Sequence, residues 1–243
     1  MFTSKTLIRL IPSRIPYRSL KLVKPNVVVP NLYDKAKYRL GLGELRYPLT
    51  QLTAAGENMF AVCAEYPVFE EFVETLGLPD TFQSWFSLTT LHMWLCLVRL
   101  RQEGIEGQLL KRPFVNLFWL DLKPRLRTFK ILRRHHWHIT AFRMQFFGAI
   151  LAYDEGFLAH SDTHLTVALW RNLFVSSPTA TLGQLEQAVD YVRKNLQHLD
   201  NLPSSTLLRF GTPTFLPLNG TTLDKEFAHQ RLIYCVSWPS FAR

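Results

Sequence analysis

The sequence predicts an all-α fold: a single compact multi-helix domain between a disordered N-terminal leader and a loose, extended C-terminal tail. Apolar residues after position 50 recur at three- and four-residue steps, which is the period of an α-helix. Gly or Pro residues stand where these patterns stop. With 243 residues, 47% of them hydrophobic and 13% aromatic, the chain can bury one full-sized core. We place this domain at residues 50–218, after a linker at 31–49 and before a tail at 219–243.

The first half of the domain is predicted to contain three helices, each followed by a Pro or Gly residue: Leu49–Tyr66, Val68–Leu76 and Phe82–Glu103. Gly77 and Gly104 suit helix ends because glycine adopts the left-handed conformation found there. Asp80 or Thr81 can cap the third helix. This helix is apolar on every side, so it should be the central buried helix.

The second half is predicted to contain four more helices: Phe114–Leu122, Phe129–Tyr153, Asp162–Phe174 and Leu182–Leu199. Pro113 is expected to open the first of them, because proline is favoured in a first helical turn. The Asp-Glu-Gly triplet at 154–156 is expected to end the second, and Asp162 or Thr163 to cap the third. The Pro-rich sequence beyond Pro203 indicates an extended tail.

The formal charge of +9 is concentrated near the N-terminus. Residues 1–30 hold six basic residues and no acidic ones, which leaves the rest of the chain at +3. A basic, acid-free leader with hydroxyl residues is typical of a mitochondrial presequence. Arg9 and Arg14 interrupt the unbroken apolar stretch that a secretory signal needs. A merely disordered basic tail is the alternative.

No transmembrane helix is predicted, because the apolar run at 82–100 contains several polar residues and the run at 146–153 is too short to span a bilayer. Cys63, Cys96 and Cys235 stand far apart in the sequence, without the paired spacing of a disulfide framework or zinc site. Buried thiols in a reducing compartment are the interpretation that fits them.

Residues 111–143 form a basic segment, in which nine basic residues accompany Asp121 alone, a net charge of +8. The candidates for a basic surface that contacts the ribosome, lipid or a protein partner are Lys123, Arg125, Arg127, Lys130, Arg133 and Arg134. A solvated helical face without a partner is the alternative interpretation.

Residues that could carry catalysis or bind a metal ion are few. Two histidine pairs have helical spacing, but further ligands are missing: His135 with His138, and His160 with His164. Asp154 and Glu155 resemble paired carboxylates, although acids at a helix junction more often face a helix dipole. We predict no catalytic residue, no metal site and no cofactor, hence not an enzyme. A hydrolase acting through Asp154, Glu155 and His160 is the least favoured alternative.

Four motifs follow one another along the chain: PDTFQSWFSLTTLHMWLCLVRLRQEG at 79–104, YDEG at 153–156, ALWRNLF at 168–174 and VDYVRKNLQHLD at 189–200. In their sequence, order and spacing they resemble the ubiquinol-cytochrome c chaperone family of complex III assembly factors, over roughly residues 50–218. Where that family usually has a Trp followed by two acids, this chain has Trp119-Leu120-Asp121.

The resemblance implies a mitochondrial protein on the matrix side, in peripheral contact with the inner membrane. It implies that the protein receives nascent cytochrome b near the mitochondrial ribosome tunnel exit and pairs with a small partner assembly factor. A chaperone for a membrane protein needs exposed apolar side chains. The candidate client-binding residues are Trp85, Phe86, Met93, Trp94, Phe146 and Phe147. The alternative is a mitochondrial RNA-binding or translation-activating protein that uses the basic segment and Trp137.

Overall fold

The computed structural model describes residues 45–129, 135–159 and 161–237. The predicted leader at 1–30 and the linker up to residue 44 lie outside these ranges. Within them the chain forms eight α-helices: α1 (Leu49–Glu65), α2 (Phe69–Leu76), α3 (Phe82–Leu100), α4 (Gly104–Thr128), α5 (His135–Leu158), α6 (Asp162–Asn172), α7 (Leu182–Asp200) and α8 (Lys225–Ser237). The all-α prediction is confirmed. None of these described helices is long and apolar enough to cross a bilayer.

The central helix is α3, which contacts α1, α4, α5 and α7. Around it, α1 packs along α4, and α6 bridges α5 and α7. A 3-10 turn at Arg101–Glu103 joins α3 to α4, and a π-helical turn at Thr206–Phe210 follows α7. Along α3, only Gln83, Trp85 and Val98 are less than fully buried. The prediction of a central buried helix is therefore confirmed.

Local signals fixed several helix ends as predicted. The Thr81 hydroxyl accepts a hydrogen bond from the backbone N–H of Ser84, 3.3 Å away, and so caps α3. Gly77 ends α2 with φ +65°, and Gly104 separates α3 from α4 with φ +61°. Both angles lie in the left-handed region that favours glycine.

The prediction that Pro113 opens a helix is wrong, because α4 begins at Gly104 and continues through Pro113 and Pro124. Five α4 side chains are completely buried along one stripe: Leu110, Phe114, Phe118, Leu122 and Leu126. Burying each contributes roughly 1.5–3 kcal/mol, which together exceeds the cost of about 3 kcal/mol for one interior proline. At Gly56 of α1, a Cβ would stand 2.9 Å from the Pro113 ring, so the two helices meet closely at this point.

The prediction that residues 154–156 end a helix is also wrong, because α5 continues through them to Leu158. A Cβ on Gly156 would lie 2.8 Å from the Cα of Leu165, so this glycine lets α6 approach α5 closely. Asp154 accepts hydrogen bonds from Trp94 Nε1 at 2.8 Å and from Arg101 Nη2 at 2.7 Å. The triplet therefore serves packing between helices, which a local breaker rule does not detect.

The cap of α6 differs by one residue from the prediction. Ser161, not Asp162 or Thr163, is the capping residue, and its hydroxyl accepts from the Thr163 N–H at 3.3 Å. Asp162 instead forms an ion pair with Arg193 of α7.

The prediction of an extended tail is wrong for residues 206–210 and 225–237, which are helical. This part of the chain packs against α1, where Asn58 Nδ2 donates to the Phe210 carbonyl at 3.0 Å. A Cβ on Gly211, at φ +65°, would overlap the carbonyl of Ala55. From α8, Arg231 donates to the carbonyls of Glu65 and Tyr66 at the end of α1. Proline content alone does not reveal such long-range contacts.

Candidate functional site

An apolar stripe lies exposed on α5. Trp137, Met144, Leu151 and Leu158 follow one another at seven-residue intervals, with exposed fractions of 74%, 73%, 60% and 76%. Seven residues are close to two helical turns, so the four side chains share one face. Phe147, 61% exposed, lies beside them. We call these five residues the α5 stripe.

The opposite face of α5 anchors the stripe to the domain. Phe142, Phe146, Ala149 and Tyr153 are buried there, and α5 contacts α3 and α6. The Phe146 ring lies 5.3–5.4 Å from the rings of Trp119 and Phe118 on α4. Such aromatic packing adds roughly 0.5–1.5 kcal/mol for each pair beyond the area it buries. The stripe is therefore presented on a firmly packed helix.

The stripe is long and narrow. From Trp137 to Leu158 the helix rises about 30 Å, which is comparable to the apolar thickness of a membrane. Between the large side chains, Ala141 and Gly148 are exposed, and a Cβ on Gly148 would meet no atom within 4 Å. Small residues beside large ones let a second helix approach closely. Exposed Glu155 lies on the same helical face between Leu151 and Leu158, so the stripe carries one acidic side chain. Exposed apolar surface of this kind marks an interaction site.

The structure does not expose most of the predicted client-binding residues. Phe86, Met93, Trp94 and Phe146 are buried in the core, with exposed fractions of 2% or less. The predicted exposure of the α3 side chains is wrong because other helices pack on that helix from several sides. Phe147 alone among the six predicted residues is exposed.

Trp85, the sixth predicted residue, is partly buried. The guanidinium carbon of Arg125 lies 4.5 Å from the centre of its ring, and the Phe82 ring lies 5.3 Å away. A cation over an indole face contributes roughly 0.5–2 kcal/mol. Trp85 therefore contributes to the contact between α3 and α4 through its ring's interaction with Arg125.

The fold places the residues of the predicted basic surface in different environments. Lys123 and Arg127 are exposed on α4, whereas Arg125 pairs at 2.5 Å with both Glu65 and Asp121. Burial alone would lower the pKa of Arg125, but the two carboxylates more than reverse this and raise it. Arg125 is thus part of a buried ion-pair network. The remaining predicted members, Lys130, Arg133 and Arg134, lie outside the described residues.

The residues considered for catalysis or metal binding are not brought together in the described part of the chain. Asp154 is engaged by Trp94 and Arg101, while Glu155 is exposed. The structure does not describe His160 or the side chains of His135 and His136. Among the described residues, no group of three His, Cys, Asp or Glu side chains is placed to hold a metal ion.

Burial keeps a histidine and a cysteine inside the core uncharged. Burial lowers the pKa of His92 to about 4, and its ring nitrogens contact the Leu88 carbonyl at 2.8 Å and the Tyr191 hydroxyl at 2.6 Å. Burial, reinforced by Cys96, raises the pKa of the Cys63 thiol. The two sulfur atoms lie 3.6 Å apart as free thiols, although 33 residues separate them in the sequence. Neutral, buried groups of this kind stabilise packing rather than initiate chemistry.

Sequence reasoning missed four of the five stripe residues as a client surface and placed Trp137 only in the RNA-binding alternative. The signal was present: Trp137, Met144, Leu151 and Leu158 keep a strict seven-residue interval. A second stripe, through Phe142, Phe146 and Tyr153, runs along the same segment. Which stripe faces the core is decided by the neighbouring helices, so the sequence of α5 alone left the choice open.

Comparison with known proteins gives a consistent result. Residues 74–215 match the sequence profile of the family described as Ubiquinol-cytochrome C chaperone. The chain is 40% identical over 181 residues to mouse ubiquinol-cytochrome c reductase complex assembly factor 1, covering 72% of this chain and 59% of that protein. It is 32% identical over 194 residues to Saccharomyces cerevisiae protein CBP3, mitochondrial, covering 70% of this chain and 57% of that protein.

The chain therefore spans less than two thirds of the length of these two relatives. Among solved structures, the crystal structure of the Cbp3 homolog from Brucella abortus is similar in fold, with a TM-score of 0.56. That similarity covers 69% of this chain and 90% of the bacterial one, at 19% sequence identity.

Proposed function

This chain belongs to the ubiquinol-cytochrome c chaperone family, and we therefore propose that it is a mitochondrial assembly factor of the ubiquinol-cytochrome c reductase complex, complex III. The names of the mouse and yeast relatives support both the complex and the mitochondrial location. The family description supports a role as a chaperone rather than an enzyme. We further propose that it works on the matrix side, in peripheral contact with the inner membrane.

The proposed client is newly made cytochrome b, and the α5 stripe carries this proposal. A chaperone for a membrane protein must shield apolar helices from water and release them later. A stripe about 30 Å long matches the apolar length of one membrane-spanning helix. Its large and small side chains would pack against such a helix in the helix-in-groove manner. Because the stripe is exposed, a client helix can bind there without unfolding the core.

Other surfaces fit the remaining contacts of such a factor. Lys111, Arg112, Lys123 and Arg127 are exposed along α4. We propose that these cations contact ribosomal RNA near the tunnel exit, since phosphate backbones attract clustered Lys and Arg side chains. A small partner assembly factor would bind a surface other than the α5 stripe, so that the stripe stays open to the client.

The decisive experiment is pulse-labelling of mitochondrial translation products, followed by pull-down of the full-length protein under low-salt and high-salt washes. We expect labelled cytochrome b to stay bound through the high-salt wash, because apolar contacts do not weaken with salt. The double variant Met144→Ser with Leu151→Ser should lose most of this labelled band. Leu182→Ser, which removes an exposed apolar side chain from α7, is the matched control and should retain it.

A second candidate function, mitochondrial RNA binding, is favoured by the exposed cations of α4. In the same pull-down it would yield RNA that high salt releases, and no labelled cytochrome b. Arg127→Gln would then reduce the recovered RNA, while the Met144→Ser with Leu151→Ser variant would leave it unchanged. That pattern would refute the client-holding proposal and establish the alternative.

A further inference from the structure

A small pocket of about 120 Å³ lies where α3, α5 and the end of α6 meet. Its α3 wall is formed by Phe86 and by three polar residues, Gln83, Ser87 and Thr90. Ser87 and Thr90 are buried. Polar side chains on a core helix are costly unless they find partners. Gln83 donates to Ser87 Oγ at 3.3 Å and to Gln145 Oε1 at 3.2 Å. Among these three wall residues, only Thr90 therefore lacks a partner in the described part of the chain.

Two hydroxyl groups at this pocket have no hydrogen-bond partner among the described residues: Thr90 Oγ1 and Tyr153 Oη. The two residues are 1% and 0% exposed. Each such buried, unpaired group costs roughly 1–3 kcal/mol. Burial also raises the pKa of the Tyr153 phenol, which keeps its proton available for donation. Two residues that line one pocket therefore each carry a hydroxyl group with unused hydrogen-bonding capacity.

A positive charge lies at the edge of the same pocket. Arg171, at the end of α6, is exposed, lines the pocket and forms no ion pair with any residue that the structure describes. Just beyond it, Val175 and Ser176 have φ values of +52° and +55°. This conformation is unfavourable for non-glycine residues, and it is retained where the surroundings demand it, commonly at ligand sites.

We propose that this pocket binds one small oxyanion, a phosphate or carboxylate group, which Arg171 attracts and which Thr90 and Tyr153 hydrogen-bond. A volume of about 120 Å³ is ample for such a group, since one water molecule needs only about 10–15 Å³. A guanidinium and hydroxyl donors are the groups that proteins use for phosphate and carboxylate. The pocket is separate from the α5 stripe, because Ala149 and Tyr153, which line it, lie on the buried face of that helix.

The proposal is tested by thermal unfolding and titration calorimetry on the full chain. The probes are inorganic phosphate, methyl phosphate and acetate, with chloride at equal ionic strength as the reference. We expect at least one oxyanion to raise Tm above the chloride value. Stronger binding of methyl phosphate would indicate a group carried by a larger molecule, and stronger binding of inorganic phosphate a free anion. Either preference supports the site.

Two variants separate binding from stability. Tyr153→Phe removes an unpaired hydroxyl, so the Tm without ligand should stay unchanged or rise, while the affinity for the oxyanion falls about tenfold. Arg171→Gln should reduce the affinity at least as much, and Lys225→Gln, which removes an exposed cation from α8, should leave it unchanged. If no oxyanion raises Tm beyond chloride, or if all three variants bind equally, the pocket is only hydrated space and the proposal fails.

Discussion

The helices α3 and α5 look alike in sequence and differ in their surroundings. Each contains Trp, Phe, Leu and Met side chains, and neither has a clear polar face. In the structure α3 is contacted by four other helices, whereas α5 leaves its stripe open to solvent. An apolar helix thus becomes core or surface according to what packs on it. Composition identifies such helices, but the neighbouring helices decide which of them keeps an exposed apolar face.

The largest expected difference in stability between the two helices comes from replacing one aromatic residue in each. Trp94→Ala in α3 should cost about 3–5 kcal/mol of unfolding free energy, because it leaves a cavity and removes the hydrogen bond to Asp154. Phe147→Ala in α5 should cost less than about 1 kcal/mol, since its side chain is mostly exposed. Chemical denaturation with urea measures both. Equal losses would mean that the stripe is part of the core.

A second test compares two arginines within the basic segment. Arg125→Gln leaves the carboxylates of Glu65 and Asp121 without their cation, and we expect a loss of about 3 kcal/mol. Arg127→Gln, two residues away and exposed, should change stability by no more than about 0.5 kcal/mol. Urea denaturation of the two variants gives the difference. A loss of stability in Arg125→Gln as small as that in Arg127→Gln would indicate that Arg125 belongs to the exposed basic surface.

The third test measures how the unfolding free energy depends on pH, and it concerns His92, a buried histidine of α3. The His92 pKa is near 6.5 in the unfolded chain and about 4 in the folded one, so the unfolded state binds more protons between these values. Stability should therefore fall as the pH drops from 6.5 towards 4, by about 2 kcal/mol at pH 5. Above pH 6.5 this contribution is constant.

Unfolding free energies measured from pH 7 to pH 5 would show this dependence. His92→Gln should remove most of the slope, although it also lowers stability at pH 7. A slope that survives His92→Gln would assign the pH dependence to other groups.

The smallest expected effect concerns the stripe itself. Met144→Lys should change stability by no more than about 0.5 kcal/mol, because the side chain is 73% exposed. It should nevertheless reduce the fluorescence of the dye ANS, which binds exposed apolar surface. Leu182→Lys, at an exposed position of α7, serves as the comparison for both stability and ANS fluorescence. A loss of several kcal/mol in Met144→Lys would show that another part of the chain covers the stripe.

Sequence reasoning succeeded where the signal was local. Thr81 and Gly77 were predicted as helix ends because capping and left-handed turns depend on only a few neighbouring residues. It failed at Pro113, which was interpreted as the start of a helix, and at Gly156, which was interpreted as part of a helix break. In the folded chain the proline is compensated by a buried stripe, and the glycine admits a neighbouring helix. Those reasons are visible only in three dimensions.

The candidate site shows the same limit. Phe147 was predicted and is exposed, whereas Trp94 and Met93 were predicted for the same apolar character and are buried. Residue type can indicate that a helix is apolar on two faces, but it cannot say which face receives another helix. A search for seven-residue intervals would have found Met144 and Leu151 and therefore most of the stripe.

The contacts between α1 and residues 206–237 also affect when the domain can fold while the chain is being synthesised or passed through a membrane pore. Asn58 and the end of α1 obtain their partners from Phe210 and Arg231, more than 150 positions later in the chain. A chain that emerges N-terminus first therefore leaves α1 without these partners until residues 210–231 arrive. Contacts of such long sequence separation form slowly. Among the described helices, α1 is thus the first in the chain and one of the last to be completed.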